Sequence, residues 1–338
     1  AGGGWVSPRG DSAGDERLAV YYTVDTEVWW ARGSPDGRSG FADEFRRWFH
    51  GATPRGDYGV PFQMRLLSEH GLKGVFFVEP LFAAVVGSDP LEEMVECILE
   101  AGHDVQLHAH VEWLRHIDHP VAVPGTGPHI RSFGLADQKR LLGEATRLLT
   151  EAGAPHPTAF RAGNFGADDT TLAALAQLDI GVDSSLARCY LDDDCRISGG
   201  AARRQPRTIG ETLEVPVSAF VDYPGHLRPV HLNACGFGEV RHALQEADRL
   251  NHPTFVMVSH SFELLNGRQD RPDRVVLGRF EKLCRFLADH ADRFRTADFR
   301  EPVPGTESSY PDVDEIVGRW RHTTARVAGQ AWSRVAYR

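Results

Sequence analysis

The 338-residue chain is poor in the features that mark membrane, secreted, nucleotide-binding or disulfide-built proteins. It has five cysteines, Cys97, Cys189, Cys195, Cys235 and Cys284, none in CxxC spacing. The odd count argues against a full disulfide framework and for a reducing compartment; only Cys189 and Cys195 lie close enough in sequence to invite pairing. No run approaches the roughly 18 apolar residues of a membrane span. The opening AGGGWVSPRGDSAGDER lacks a basic segment followed by an apolar one, so no signal peptide is visible. A cytoplasmic location is the expectation, with a secreted mature form as the alternative. A formal net charge of −10 opposes binding of nucleic acid through its phosphates. No GxGxxG follows the first apolar run, which counts against a doubly wound dinucleotide-binding sheet.

What remains is a chain with 41% hydrophobic residues, enough for a large core in one big α/β domain or two ordinary ones. Short apolar runs rich in β-branched and aromatic residues begin with 17-RLAVYYTV-24 and 74-GVFFVEP-80. Further runs are 103-HDVQLH-108, 158-TAFRAG-163, 179-DIGVDSS-185, 213-LEVPVSAF-220, 254-TFVMVSH-260 and 294-FRTADF-299. Helical periodicity separates them at 59–71, 90–102, 136–152, 168–178, 237–250 and 273–292, with a short helix expected around 41–50. Strands alternating with helices indicate parallel βαβ units. The fold expected is an α/β, distorted (β/α)7-type barrel forming a single catalytic domain over 17–302. A flexible N-terminus, 1–16, precedes it. A C-terminal helical extension, 303–338, follows, with an apolar stripe (Ile316, Trp320, Val327, Trp332) read as capping the barrel; an oligomer or membrane-surface contact is the alternative.

In such barrels active groups sit at the C-terminal ends of strands. The polar residues of this chain obey that rule. Asp25 and Glu27, His108 to Glu112, Arg161 to Asn164, Asp183 and His260 each close an apolar run. Alternation along an extended segment puts Asp25 and Glu27 on one side, and likewise His108 and His110. Imidazoles and carboxylates at this spacing can hold a divalent metal.

Five motifs occur in order: 23-TVDTE-27, 102-GHDVQLHAHVEW-113, 160-FRAGNFG-166, 181-GVDSS-185 and 256-VMVSHS-261. Together, over residues 17–300, they resemble the polysaccharide deacetylase family, the NodB-homology domain of carbohydrate esterase family 4. The resemblance implies that Asp25 is the catalytic base. It makes Glu27 a metal ligand, in an Asp-x-acid form, because Thr26 stands where the family's second acid is common. His108 matches the first histidine of the family's His-Ser/Thr-x-x-His motif, and the position four residues on is Glu112. Glu112 is therefore expected as third ligand, with His110 as its competitor. The cofactor expected is one divalent metal ion, Zn first, with Co, Mn or Ni as alternatives given the oxygen donors. Arg161 matches the arginine that pairs with the base, and Phe165 is the aromatic nearest the oxyanion-supporting position, although 162-AGN-164 replaces the usual prolines. Asp183 matches the aspartate that orients the catalytic histidine or the arginine, and His260 matches the general acid. Asn164, Phe165, Trp29 and Trp113 are candidates to bind substrate; Trp30, Tyr223 and His226 are weaker ones.

The activity implied is metal-dependent hydrolysis of the acetamide of an N-acetylated amino sugar or glycoside. Inserts at 31–58, 116–135 and 186–212 are expected to narrow an open groove and to favour a small substrate. Three alternatives stay open: a cyclic amide or ureide hydrolase on the same scaffold, a catalytically silent sugar-binding relative, and a two-carboxylate glycosidase. A homo-oligomer is also open. An arginine-rich pocket would favour an anionic, non-sugar substrate.

Overall fold

The computed structural model describes residues 15–31, 33–117, 127–200, 203–307 and 310–336, with side chains described as far as 329. Nearly all of the expected segment 1–16, residues 118–126 of one insert and the side chain of Trp332 lie outside the described residues.

All eight expected strands are present. The first, Leu18–Thr26, is buried along its whole length. It pairs in parallel with the seventh, Thr254–His260, on one side and with the second, Val75–Val78, on the other. The path continues in parallel through the third, Asp104–Ala109, the fourth, Ala159–Ala162, the fifth, Val182–Asp183, and the sixth, Thr212–Glu214. The eighth, Phe294–Thr296, pairs with the start of the first. Burial of both strand faces is the mark of a parallel sheet covered by helices. Alternate residues of the first strand enter two different cores. Leu18, Val20, Tyr22 and Val24 pack outward against the helices. Ala19 and Tyr21 face the barrel interior with Phe77, Val215, Val256 and Val258. The inward set continues upward as Thr23, Asp25 and Glu27.

The fold is thus the expected distorted (β/α)7-type barrel, but its ring is not completed by a regular ladder. The sixth strand stops at Glu214 because Pro216 has no N–H to donate. Isolated backbone bonds, including a parallel bridge between His231 and Val258, span the remaining gap. Val217 N–H donates to Leu186 O (2.9 Å), Ser218 N–H to Val256 O (3.0 Å) and Leu232 N–H to Val258 O (3.0 Å). Helices occupy the expected stretches: Val60–Glu69, Asp89–Glu100, Leu135–Glu151, Asp169–Ala176, Phe237–Arg249 and Arg274–Asp289. The expected helix at 41–50 is split into an α-helical turn, Phe41–Phe45, and a wider turn, Arg46–His50. All five cysteines are free. Among the described residues no helix is long and apolar enough to cross a membrane.

The C-terminal helix, Trp320–Ala336, docks differently from expectation. Ile316 is buried just ahead of it, but Trp320 is 77% and Val327 53% exposed. The helix is held instead through its polar face. Arg326 is buried between Asp222 (3.1 Å) and Glu239 (3.0 Å). The Thr323 hydroxyl donates to Asp222 O. Removing one member of a buried ion pair leaves its partners uncompensated. Arg326→Ala is therefore expected to lower stability by about 3 kcal/mol, measured by urea unfolding, with Val327→Ala as the near-neutral control.

Candidate active site

The site is built by strand register. Parallel pairing sets Asp25 beside His260 and beside Phe77, and His108 beside Arg161. Each of the first, third, fourth and seventh strands therefore delivers an inward-facing polar residue to the same end of the barrel. Beyond the strand ends the parity persists for one residue more. His110 keeps an extended backbone (φ −103°, ψ 108°), so its ring points inward like that of His108. From Val111 the chain coils into a 3₁₀ turn, Val111–His116, and the alternation ends.

Asp25 is buried against Arg161, whose Nη1 donates to Asp25 Oδ1 at 2.7 Å. Burial alone raises the carboxyl pKa, but Arg161, aided by His108 and His260, outweighs it and keeps the pKa below the usual value. Arg161 itself is fully buried. It also donates to the Thr23 hydroxyl (2.7 Å), to Ser184 O (3.0 Å) and to Ser184 Oγ (3.1 Å), and its guanidinium lies 4.4 Å from the Phe77 ring centre.

Glu27 Oε1 lies 3.3 Å from His108 Nε2 and 3.1 Å from His110 Nε2. His108 Nδ1 is 2.7 Å from Arg161 O, which can only accept, so Nδ1 carries the proton and donates it. In the neutral ring Nε2 therefore turns a lone pair towards a carboxylate oxygen. Two acceptors facing each other in a buried site call for a cation or proton between them. Ligand atoms of Glu27, His108 and His110 all lie within 4.8 Å of one another. This donor set of two imidazoles and one carboxylate suits a catalytic zinc-type centre with an open position. The supports around it match as well: His108 donates to a backbone carbonyl, and the Trp29 indole donates to Glu27 Oε2 (2.9 Å).

His110, not Glu112, stands with Glu27 and His108. Glu112 lies behind His110, with Oε2 at 3.2 Å from His110 Nδ1, and Oε1 accepts from Asn164 Nδ2 (2.9 Å). It is outside the grouped ligand atoms because the 3₁₀ turn takes it off the inward parity. Glu79, which sequence reasoning passed over, accepts the backbone N–H groups of His110 and Leu81 and fixes the ligand segment from below. Burial pushes its carboxyl up to about 8. Nothing in 76-FFVEP-80 separated Glu79 from an ordinary loop carboxylate.

His260 Nδ1 lies 2.6 Å from Glu263 Oε2. Burial lowers the imidazole pKa, but Glu263, with Glu27 and Asp25 behind it, carries it up to about 9. Glu263, not Asp183, is thus the carboxylate that orients this histidine. The signal available was an acid three residues after it. Asp183 is buried one layer away. It accepts from Ser185 N–H (3.0 Å) and Ser185 Oγ (2.7 Å), and Ser185 Oγ in turn accepts from Ala162 N–H (2.9 Å). Its neighbour in register is Glu214, and burial pushes both carboxyls up.

These groups open onto a cavity of about 560 Å³. Trp29, Asn164 and Phe165 line it as expected, and so does His231, which was not foreseen. Burial, then the nearby His260, lowers the His231 pKa to about 3, so it is neutral. Trp113 is not part of the cavity. It is fully buried among Trp30, Phe41 and Phe82, because the 3₁₀ turn directs it outward into the helix-side core. Tyr223 and His226 stack on each other on the hairpin Ala219–Tyr223/His226–Pro229, away from the cavity lining.

No family model matches the chain, and no curated protein matches it. Solved structures do. A family 4 carbohydrate esterase from Streptomyces lividans is 15% identical, with 83% of this chain and 92% of that chain covered and a TM-score of 0.42. A 4-alpha-glucanotransferase from Thermococcus litoralis is 10% identical over 90% of this chain but 42% of its own, with a TM-score of 0.50. A family 4 pseudoenzyme from Bacillus anthracis is 11% identical over 79% of this chain and 62% of its own, with a TM-score of 0.37. The likeness is one of fold.

Gly163 packs directly against the His110 ring. A Cβ there would come within 2.7 Å of His110 Nδ1 and 2.8 Å of Ala109 O. Gly163→Ala should therefore displace the His110 ring. Metal affinity is expected to fall about 10- to 100-fold, read by calorimetric titration with Zn, while the far-ultraviolet circular dichroism stays unchanged.

Proposed function

We propose that the protein is a metal-dependent amidohydrolase that removes the acetyl group from an N-acetylated amino sugar. The observation that carries this reading is the Glu27–His108–His110 donor group beside an Asp25 carboxylate that Arg161 holds ionised. Glu27, His108 and His110 would hold one divalent ion, Zn first on the donor set, with Glu112, Asn164 and Trp29 orienting them. When bound, that ion supplies Lewis acidity, polarising an amide carbonyl and making water easier to deprotonate.

The chain's own groups do the proton work. Asp25, kept ionised, takes the proton of the attacking water. His260, kept protonated by Glu263 at neutral pH, gives a proton to the nitrogen as the C–N bond breaks. The lining rings Trp29, Phe165, Tyr190 and Phe262 offer apolar faces for a sugar. The cavity lining contains no lysine or arginine among the described residues, which disfavours an anionic cyclic amide or ureide. Retention of base, acid and donor group together disfavours a silent sugar-binding relative.

Two experiments test the reading. Acetate release is to be measured from a panel of N-acetylated amino sugars and their glycosides, with protein loaded with Zn, Co, Mn or Ni. Asp25→Asn is expected to lower kcat by about 10³-fold or more while metal content by elemental analysis stays at the wild-type level. Loss of the metal with the activity would make Asp25 a ligand instead of the base.

The second concerns His260. Its pKa is raised, so the acid form is complete at neutral pH and is lost as pH rises through about 9. In Glu263→Gln the main cause of that rise is gone. The alkaline limb of the kcat/KM profile should then move down by about one pH unit or more, with activity at pH 8 falling most. An unmoved limb would remove His260 from the role of acid.

A further inference from the structure

The cavity over the metal-ligand group draws its lining from most of the barrel rim. A groove that holds an internal unit of a polymer must be open at two opposite sides, so that the chain can leave in both directions. Here side chains rise from nearly every sector of the barrel rim. Trp29 stands after the first strand, His129 after the third, Phe165 after the fourth and Asp194 after the fifth. His231 comes from the stretch between the sixth and seventh strands, and Phe262 follows the seventh. The cavity volume, about 560 Å³, lies in the range of small-molecule pockets.

Two of these walls come from separate inserts and are fastened to each other. His129 Nε2 meets Asp194 Oδ1 at 3.0 Å. From the same insert as His129, Arg131 Nε donates to Asp194 O (2.8 Å) and Arg131 Nη2 to Asp193 O (2.9 Å). The clasp is seated on the barrel. Arg131 N–H donates to Gly166 O (3.0 Å), and a Cβ at Gly166 would stand 2.6 Å from the His129 ring. Gly166 is thus the gap in the fourth-strand loop into which His129 fits. The hydrogen-bonded contact between His129 and Asp194 joins the third- and fifth-strand loops beside the fourth-strand loop.

Resting on the amidohydrolase reading above, we propose that the substrate enters end-on: a free amino sugar, a small glycoside or the terminal unit of an oligomer, one N-acetyl group at a time. The His129–Asp194 clasp is the specificity-determining element. The probe is a set of N-acetylglucosamine oligomers of one to five units, with the metal-loaded full chain and mass-spectrometric mapping of the products. The expected result is loss of a single acetyl group, from a terminal unit, whatever the length. Removal of acetyl groups from internal units at comparable rates overturns the end-on proposal and leaves the amidohydrolase reading standing. Release of no acetate from these oligomers or from the panel above overturns the amidohydrolase reading itself. Asp194→Ala and His129→Ala test the clasp. Each is expected to raise the pentamer-to-monomer ratio of kcat/KM about tenfold and to admit internal cleavage. An unchanged ratio and product pattern in both variants would remove the clasp from this role.

Discussion

One fully buried cation organises the polar end of this barrel. Arg161 binds Thr23 and Asp25 of the first strand, lies over Phe77 of the second, fixes His108 of the third through its own carbonyl, and donates to Ser184 beyond the fifth. A guanidinium without solvent is tolerated only when its donors are matched and a counter-charge is near. Asp25 supplies that charge, and in return Arg161 outweighs the burial that raises its carboxyl pKa. The pair thus ties the ends of the first five strands together and keeps Asp25 ionised. The same contact decides the tautomer of His108, since a proton committed to Arg161 O leaves Nε2 free to face Glu27.

Around that centre, the carboxylates are kept in separate roles by their neighbours. Asp25 faces an arginine, Glu27 faces two imidazoles, Glu263 faces His260, and Glu79 receives backbone N–H groups. Burial pushes Asp25, Glu27 and Glu79 towards the neutral form, and the partner decides how far each one goes. Sites that perform acid and base chemistry at one pH need such divergence. The more distant pair, Asp183 and Glu214, has no cation of its own and lies high in pKa; it buttresses the fourth strand through Ser185.

Much of this was legible from residue order. A strand alternates strictly, so Tyr21, Thr23, Asp25 and Glu27 had to share a face, as did Gln106, His108 and His110. The apolar runs were long enough to locate all eight strands. Side-chain directions were no longer legible where alternation stopped. Glu112 and Trp113 sit in a 3₁₀ turn, and a family spacing cannot say where a turn aims its side chains. The C-terminal stripe misled for another reason: its helix is fastened by Arg326 to Asp222 and Glu239, partners about 90 to 100 residues away in sequence.

The sequence by itself therefore determined the barrel, the end at which its chemistry gathers, and the inward set Asp25, Glu27, His108, His110, Arg161 and His260. All of these follow from a period of two and from where apolar runs end. Only the tertiary structure decided that His110 stands nearer the ligand group than Glu112, that Glu263 orients His260, that Trp113 belongs to the core, and that two distant inserts meet over the cavity. Each of those facts depends on distances between segments far apart in the chain. Such distances are fixed by packing and by the pairing of buried charge, and neither is written in local spacing.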